Sequence, residues 1–100
     1  METTVSLNGT NAVVTLSGRL DTPSAPQVEN ELKSLTGGEI TSAVIDCENL
    51  SYISSSGLRI LISLHKHFTK TGGSLTVRNL TPAIKEVFDM TGFTNIFNIE

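Results

Sequence analysis

The sequence predicts an α/β domain built on a mixed, mostly parallel β-sheet, and three observations carry that reading. Two β-rich runs flank an Asn-Gly pair near the start, which is the signature of an antiparallel hairpin. After them, short apolar runs alternate with longer segments whose apolar residues recur at helical spacing. Parallel strands need crossovers, usually helices, so the expected order is β-β-α-β-α-β-α-β, about five strands with the helices mainly on one face. Gly37-Gly38 and Gly72-Gly73 each close one of the helical segments. One domain is expected over residues 1–100.

Each element has its own local justification. Thr3 to Leu7 and Ala12 to Ser17 are the hairpin strands, with Asn8 and Gly9 tolerating the positive φ of the turn. Thr22-Pro23 supplies a hydroxyl followed by a first-turn proline, and Ala25, Val28, Leu32 and Leu35 repeat at helical spacing until Gly37-Gly38. Ala43-Val44-Ile45 is a covered strand ending at Asp46. Ser54-Ser55-Ser56-Gly57 opens a second helix that runs to about Thr69. On a helical wheel Leu58, Leu61, Ile62, His65 and Phe68 share one face, and Arg59, Ser63, Lys66, His67 and Lys70 the other. Ile60 and Leu64 fall between them, so the apolar arc is wider than a single core contact needs. Ser74 to Arg78 reads as a strand, Thr81-Pro82 opens a third helix through about Met90, and Ile96 to Ile99 is a short last strand.

Composition narrows the function classes. Seven basic and ten acidic residues give a formal charge of −3, with no Lys/Arg cluster of the kind that binds phosphate backbones, so no direct nucleic-acid contact is expected. Val, Ile, Leu and Phe make up 30 of the 100 residues, enough for a packed core. The first residues lack a basic and apolar leader pattern, and no run approaches a membrane span, so a cytoplasmic protein without membrane insertion is expected. The single cysteine, Cys47, excludes an intrachain disulfide and a cysteine metal cluster. His65 and His67, two residues apart on one helix, diverge by about 200° and cannot chelate one metal. His65 reads as a core histidine with a local hydrogen bond, and His67 as solvated.

Nothing identifies a catalytic centre. A Cys47-His pair has no third group to orient it, and Asp21, Asp46, Glu48 and Asp89 are scattered without the pairing that acid-base work requires. The one unusual feature is the three serines at the mouth of the second helix. One serine suffices as an N-cap, accepting a hydrogen bond from a first-turn amide. Three hydroxyls at a helix start also suit phosphorylation, because a phosphate there meets free amides and the positive end of the helix dipole. Capping alone and a modification or anion site are both open on these residues.

Three segments also resemble a known family. Gly18-Arg19-Leu20-Asp21 after a strand, the run from Ile45 through Ser54-Ser55-Ser56-Gly57-Leu58-Arg59, and Pro82 to Phe93 are similar in order and spacing to STAS domains of the anti-sigma factor antagonist family. The resemblance spans nearly the whole chain and is most specific in its central segment. It implies a partner-switching protein with no catalytic activity and no cofactor. When unphosphorylated, such a protein binds an anti-sigma factor that is also a serine kinase. Phosphorylation of a serine at the start of the second helix breaks the complex, and a serine phosphatase resets it.

In the family's pattern an acidic residue, the acceptor serine, a small residue and a glycine stand in succession. The acceptor here is Ser55, followed by Ser56 and Gly57, with Ser54 and Ser56 as secondary candidates. Ser54 stands where many members carry Asp, which removes a like charge beside the phosphate. The implied partner-binding surface comprises Asp21, Ser54, Ser55, Ser56, Gly57, Leu58 and Arg59, with Asp21 beside Ser55 and Arg59 facing solvent. Two other functions fit the same fold. One is a constitutive accessory subunit of a transporter or sensory complex using Ile60 and Leu64 as interface, and the other is a nucleotide- or small-molecule-binding domain.

Overall fold

Strands β1 (Glu2–Asn8) and β2 (Asn11–Leu20) pair antiparallel from Glu2 opposite Ser17 to Asn8 opposite Asn11. The turn is therefore Gly9-Thr10 rather than Asn8-Gly9. Only Gly9 takes a positive φ, +65°, as a two-residue hairpin with glycine at its first central position requires. The computed structural model of the chain describes residues 1–37 and 39–100.

Helix α1 (Ala25–Leu32) begins later than Thr22-Pro23 suggests. Its N-cap is Ser24, and the proline of the first turn is Pro26. The start is displaced because Asp21 and Ser24 bond to each other: the Asp21 amide donates to Ser24 Oγ and the Ser24 amide to Asp21 Oδ1, both at 3.0 Å. The chain then tightens into a 3-10 turn at Lys33–Thr36, which buries Leu35. Gly38, half of the expected glycine stop, lies outside the described residues.

Strand β3 (Ser42–Ile53) does not end at Asp46. It continues by bulging against β2: it carries one extra residue between Asp46 and Asn49, the partners of Thr15 and Ser17, and another between Leu50 and Tyr52, the partners of Gly18 and Arg19. Gly18 takes φ +99° there. The inward residues of β3 step as Ala43, Ile45 and Cys47 and then Leu50 and Ile53. That break in the two-residue period hides the second half of the strand from a sequence pattern. Cys47, expected just past the strand, is buried within it.

Helix α2 (Ser55–Thr71) ends on Gly72 in the left-handed conformation, strand β4 (Ser74–Arg78) follows, and helix α3 (Pro82–Thr91) is capped by Thr81 as expected. A 3-10 turn at Phe93–Asn95 shortens the last strand, β5, to Asn98–Ile99. The sheet order is β1-β2-β3-β4-β5, antiparallel at the hairpin and parallel elsewhere.

One face of this sheet carries the core. Val14, Leu16, Ile45, Leu75 and Val77 are buried there against Val28 and Leu32 of α1, Leu61 and Phe68 of α2, and Ile84 and Phe88 of α3. The alternate residues, Val13, Thr15, Val44, Asp46, Thr76 and Arg78, are half-exposed on the opposite face. The mixed sheet with its helices on one face is the predicted architecture.

The width of the apolar arc on α2 has a structural cause. Ile60 and Leu64 are 4% and 5% exposed, buried beside Leu32 of α1, so they complete the core rather than form a free interface. His67, expected to be solvated, is half-buried edge-on to Phe68 at 5.3 Å. Its Nε2 has no hydrogen-bond partner among the described residues. His65 meets Phe97 edge-on at 5.2 Å, and among the described residues it makes no hydrogen bond.

Candidate functional site

The start of α2 is fixed onto the carboxyl ends of β2 and β3 by a small set of contacts. Its N-cap is Ser54, whose amide donates to the Leu20 carbonyl at 2.8 Å and whose Oγ accepts from the Gly57 amide at 3.2 Å. The first helical turn closes when the Leu58 amide donates to the Ser54 carbonyl at 2.9 Å. Gly57 permits this approach: a Cβ there would fall 2.6 Å from Leu20 Cγ and 2.9 Å from Ile53 Cγ1. Leu20, Ile53 and Gly57 therefore set the depth of the helix start.

This arrangement divides the labour among the three serines. Ser54 is 9% exposed and occupied with capping, Ser55 is exposed, and Ser56 is half-buried. Asp and Ser are comparable N-caps. A serine at position 54 therefore keeps the structural role of an aspartate there while omitting its charge. Within the first turn, the amides of Ser54 and Gly57 are bonded. Among the described residues those of Ser55 and Ser56 are unpaired, at the positive end of the dipole.

Hollows flank the helix start on both sides. Ser55, Leu58, Arg59 and Ile62 of α2 face Thr91 and Phe93 across an open, largely apolar depression of about 280 Å³. Toward α1, Thr22, Pro26 and Glu29 meet Ser56, Arg59 and Ser63 around one of about 340 Å³. Leu58 is 6% exposed, so it anchors the helix to the core and floors the first depression at once. Arg59 is exposed and borders both.

Asp21 is committed locally. It accepts from the Ser24 hydroxyl at 2.9 Å as well as from the Ser24 amide, and these bonds hold its carboxyl below the usual carboxylate range. Thr22 of the same turn borders the α1-side hollow together with Ser56. The sequence pattern gives Thr22 only a helix-start role, and Thr91 and Phe93 are not among the site residues it names. Phe93 packs edge-on to Phe88 at 6.2 Å and Phe97 at 6.0 Å, while neighbouring Met90 is 80% exposed.

The remaining reactive groups have structural roles. Burial pushes the Cys47 thiol up to about 12, so it stays protonated at neutral pH. Asp46 accepts from the Glu48 amide, Arg78 Nε and Asn79 Nδ2, tying β3 to the end of β4 on the open face. Among the described residues no group of His, Cys, Asp and Glu is arranged to hold a metal ion. No described helix is long and apolar enough to cross a membrane.

Comparison with known proteins places this geometry in context. The STAS domain family model matches residues 3–100. The anti-sigma-B factor antagonist of Bacillus subtilis (strain 168) is 32% identical over 97 residues, spanning 95% of this chain and 86% of that protein. An anti-sigma factor antagonist from Mycobacterium paratuberculosis superimposes with a TM-score of 0.87 at 26% identity, covering 98% of this chain and 83% of that one. The Bacillus cell fate determinant SpoIIAA in its phosphorylated form shares the fold, with a TM-score of 0.79 at 20% identity over 99% of this chain and 91% of that one.

Proposed function

The chain belongs to the STAS domain family, and from that premise we propose that residues 1–100 form a single cytoplasmic domain acting as an anti-sigma factor antagonist switched by phosphorylation of Ser55. The names of the relatives in Bacillus subtilis and Mycobacterium paratuberculosis support the antagonist role. The observation that carries the switch is the division among the serines. Ser54 holds the helix, which leaves Ser55 exposed beside an apolar hollow and two amides that are unpaired among the described residues.

In this reading the unphosphorylated surface around Asp21, Ser54, Ser55, Ser56, Gly57, Leu58 and Arg59 docks an anti-sigma factor that is also a serine kinase. The kinase forms a bond from Ser55 Oγ to the γ-phosphorus of ATP as the bond to the β-phosphate oxygen breaks. ADP leaves and the hydroxyl proton is released. A serine phosphatase restores the hydroxyl with water, releasing inorganic phosphate. This domain supplies no catalytic group and needs no cofactor.

The phosphate acts without refolding the domain. It adds a charge of about −1.5 to −2 at the rim of an apolar depression that a docked partner would have to desolvate. The same charge suits the helix start on which it stands, so the fold tolerates it while the complex does not. Calorimetric titration against the kinase tests this. Ser55→Ala is expected to bind as the native chain does, and Ser55→Glu at least about tenfold more weakly, a difference of about 1.4 kcal/mol. Equal affinity of the two variants contradicts the switch.

A further inference from the structure

Ser55 and Arg59 stand four residues apart on α2 and border the same depression. Residues at that spacing are neighbours on a helix face, with Cβ atoms roughly 5–6 Å apart, and an anion N-terminal to a cation is the better of the two orientations. The three arginines of the chain differ in what occupies them. Arg19 lies over the Tyr52 ring at 4.3 Å, and Arg78 is paired with Asp46 at 3.3 Å. Among the described residues Arg59 has neither an ion pair nor an aromatic ring beneath it. Glu29 borders the α1-side hollow together with Arg59 but does not pair with it.

Resting on the assignment of Ser55 as phosphoacceptor, we infer that Arg59 is the intramolecular receptor for the Ser55 phosphate. Phosphorylation draws its guanidinium into the α3-side depression, where its N–H groups donate to the phosphate oxygens. Guanidinium and phosphate match in a two-point, charge-assisted geometry that a lysine ammonium does not reproduce. The modification then changes the docking surface twice. It adds a dianion and removes the unpaired cation that an acidic group of the partner would otherwise meet. The Ser55 phosphate becomes a competitor for Arg59 as well as an obstacle to docking.

The test separates this latch from the switch itself. Phosphoserine is incorporated at position 55 during synthesis, so no kinase is involved, and the phosphate is titrated by phosphorus NMR in the native sequence, Arg59→Gln and Arg59→Lys. The second phosphate ionisation lies ordinarily near about 6. The helix start lowers it in all three proteins, so their difference isolates the side chain at position 59.

Arg59→Gln is expected to titrate higher than the native sequence by roughly 0.3 of a pH unit or more, with Arg59→Lys between them. The gap should shrink at high salt. Identical midpoints in the native and Gln proteins overturn the latch. Failure of every candidate kinase to modify Ser55 counts against the switch and leaves this titration unaffected. Arg59 is exposed, so the unmodified variants should melt with the native protein, which confirms that the comparison is made on folded chains.

Discussion

The two ends of helix α2 are built from similar small residues to opposite purposes. At its C-terminus Gly72 turns left-handed at φ +81°, and Gly73 lies so close to the preceding loop that a Cβ would come 2.3 Å from the Thr41 carbonyl oxygen. The Gly73 amide is bonded to the Phe68 carbonyl, and the Ser74 amide to that of Thr41. Every small residue there is used to close the chain onto its neighbours. At the N-terminus, among the described residues, only Ser54 and Gly57 do such work, and Ser55 and Ser56 keep unpaired amides beside an open hollow. A helix end that needs one cap and carries three serines has hydroxyls to spare, and the C-terminal end has no such surplus.

Substitutions can break this contrast, and their expected effects fall in order. Gly73→Ala should be the most damaging, about 3 kcal/mol in urea denaturation, because the collision is with backbone and Gly73 cannot retreat without losing its bond to Phe68. A loss below about 0.5 kcal/mol would mean that the C-terminal end is not closed as described.

Ser54→Ala should cost about 1 kcal/mol by removing the cap from the Gly57 amide, and Ser54→Asp should recover most of it. Ser55→Ala should move the same transition by a few tenths of a kcal/mol at most, since that hydroxyl is exposed and among the described residues bonded to nothing. If Ser55→Ala proved as costly as Ser54→Ala, the division of labour at the N-terminal end would be wrong.

Most of the fold was legible because its signals are local. The glycine at the hairpin, Thr81-Pro82 before α3, the alternating burial of β4 and the left-handed Gly72 are written in a few adjacent residues each. The second half of β3 was not, because its own bulges against β2 interrupt the period that would announce it. The start of α1 was misplaced for a related reason: Asp21 and Ser24 compete with Thr22 for the capping role, and the winner depends on backbone geometry.

At the site, the serine run marked the position but not the roles. Which serine is buried is decided by Leu20 and Ile53, on two strands brought together only in the fold. Phe93 and Thr91 lie more than thirty residues beyond Ser55, and their part in the hollow follows from where α3 packs. Nothing in the spacing of Met90 to Phe93 says which side chain is core and which is surface. Phe93 turns into the aromatic cluster and Met90 outward.

The assignment of the switch to one hydroxyl is tested most directly by mapping the modification. The native chain, Ser54→Ala, Ser55→Ala and Ser56→Ala are each incubated with ATP and a serine kinase of the same organism, then measured as intact masses and peptides. One phosphate is predicted, on Ser55, present in the native chain and in the variants at 54 and 56 and absent from Ser55→Ala. Phosphate on Ser54 or Ser56 in the native chain, or none with any such kinase, would contradict the assignment.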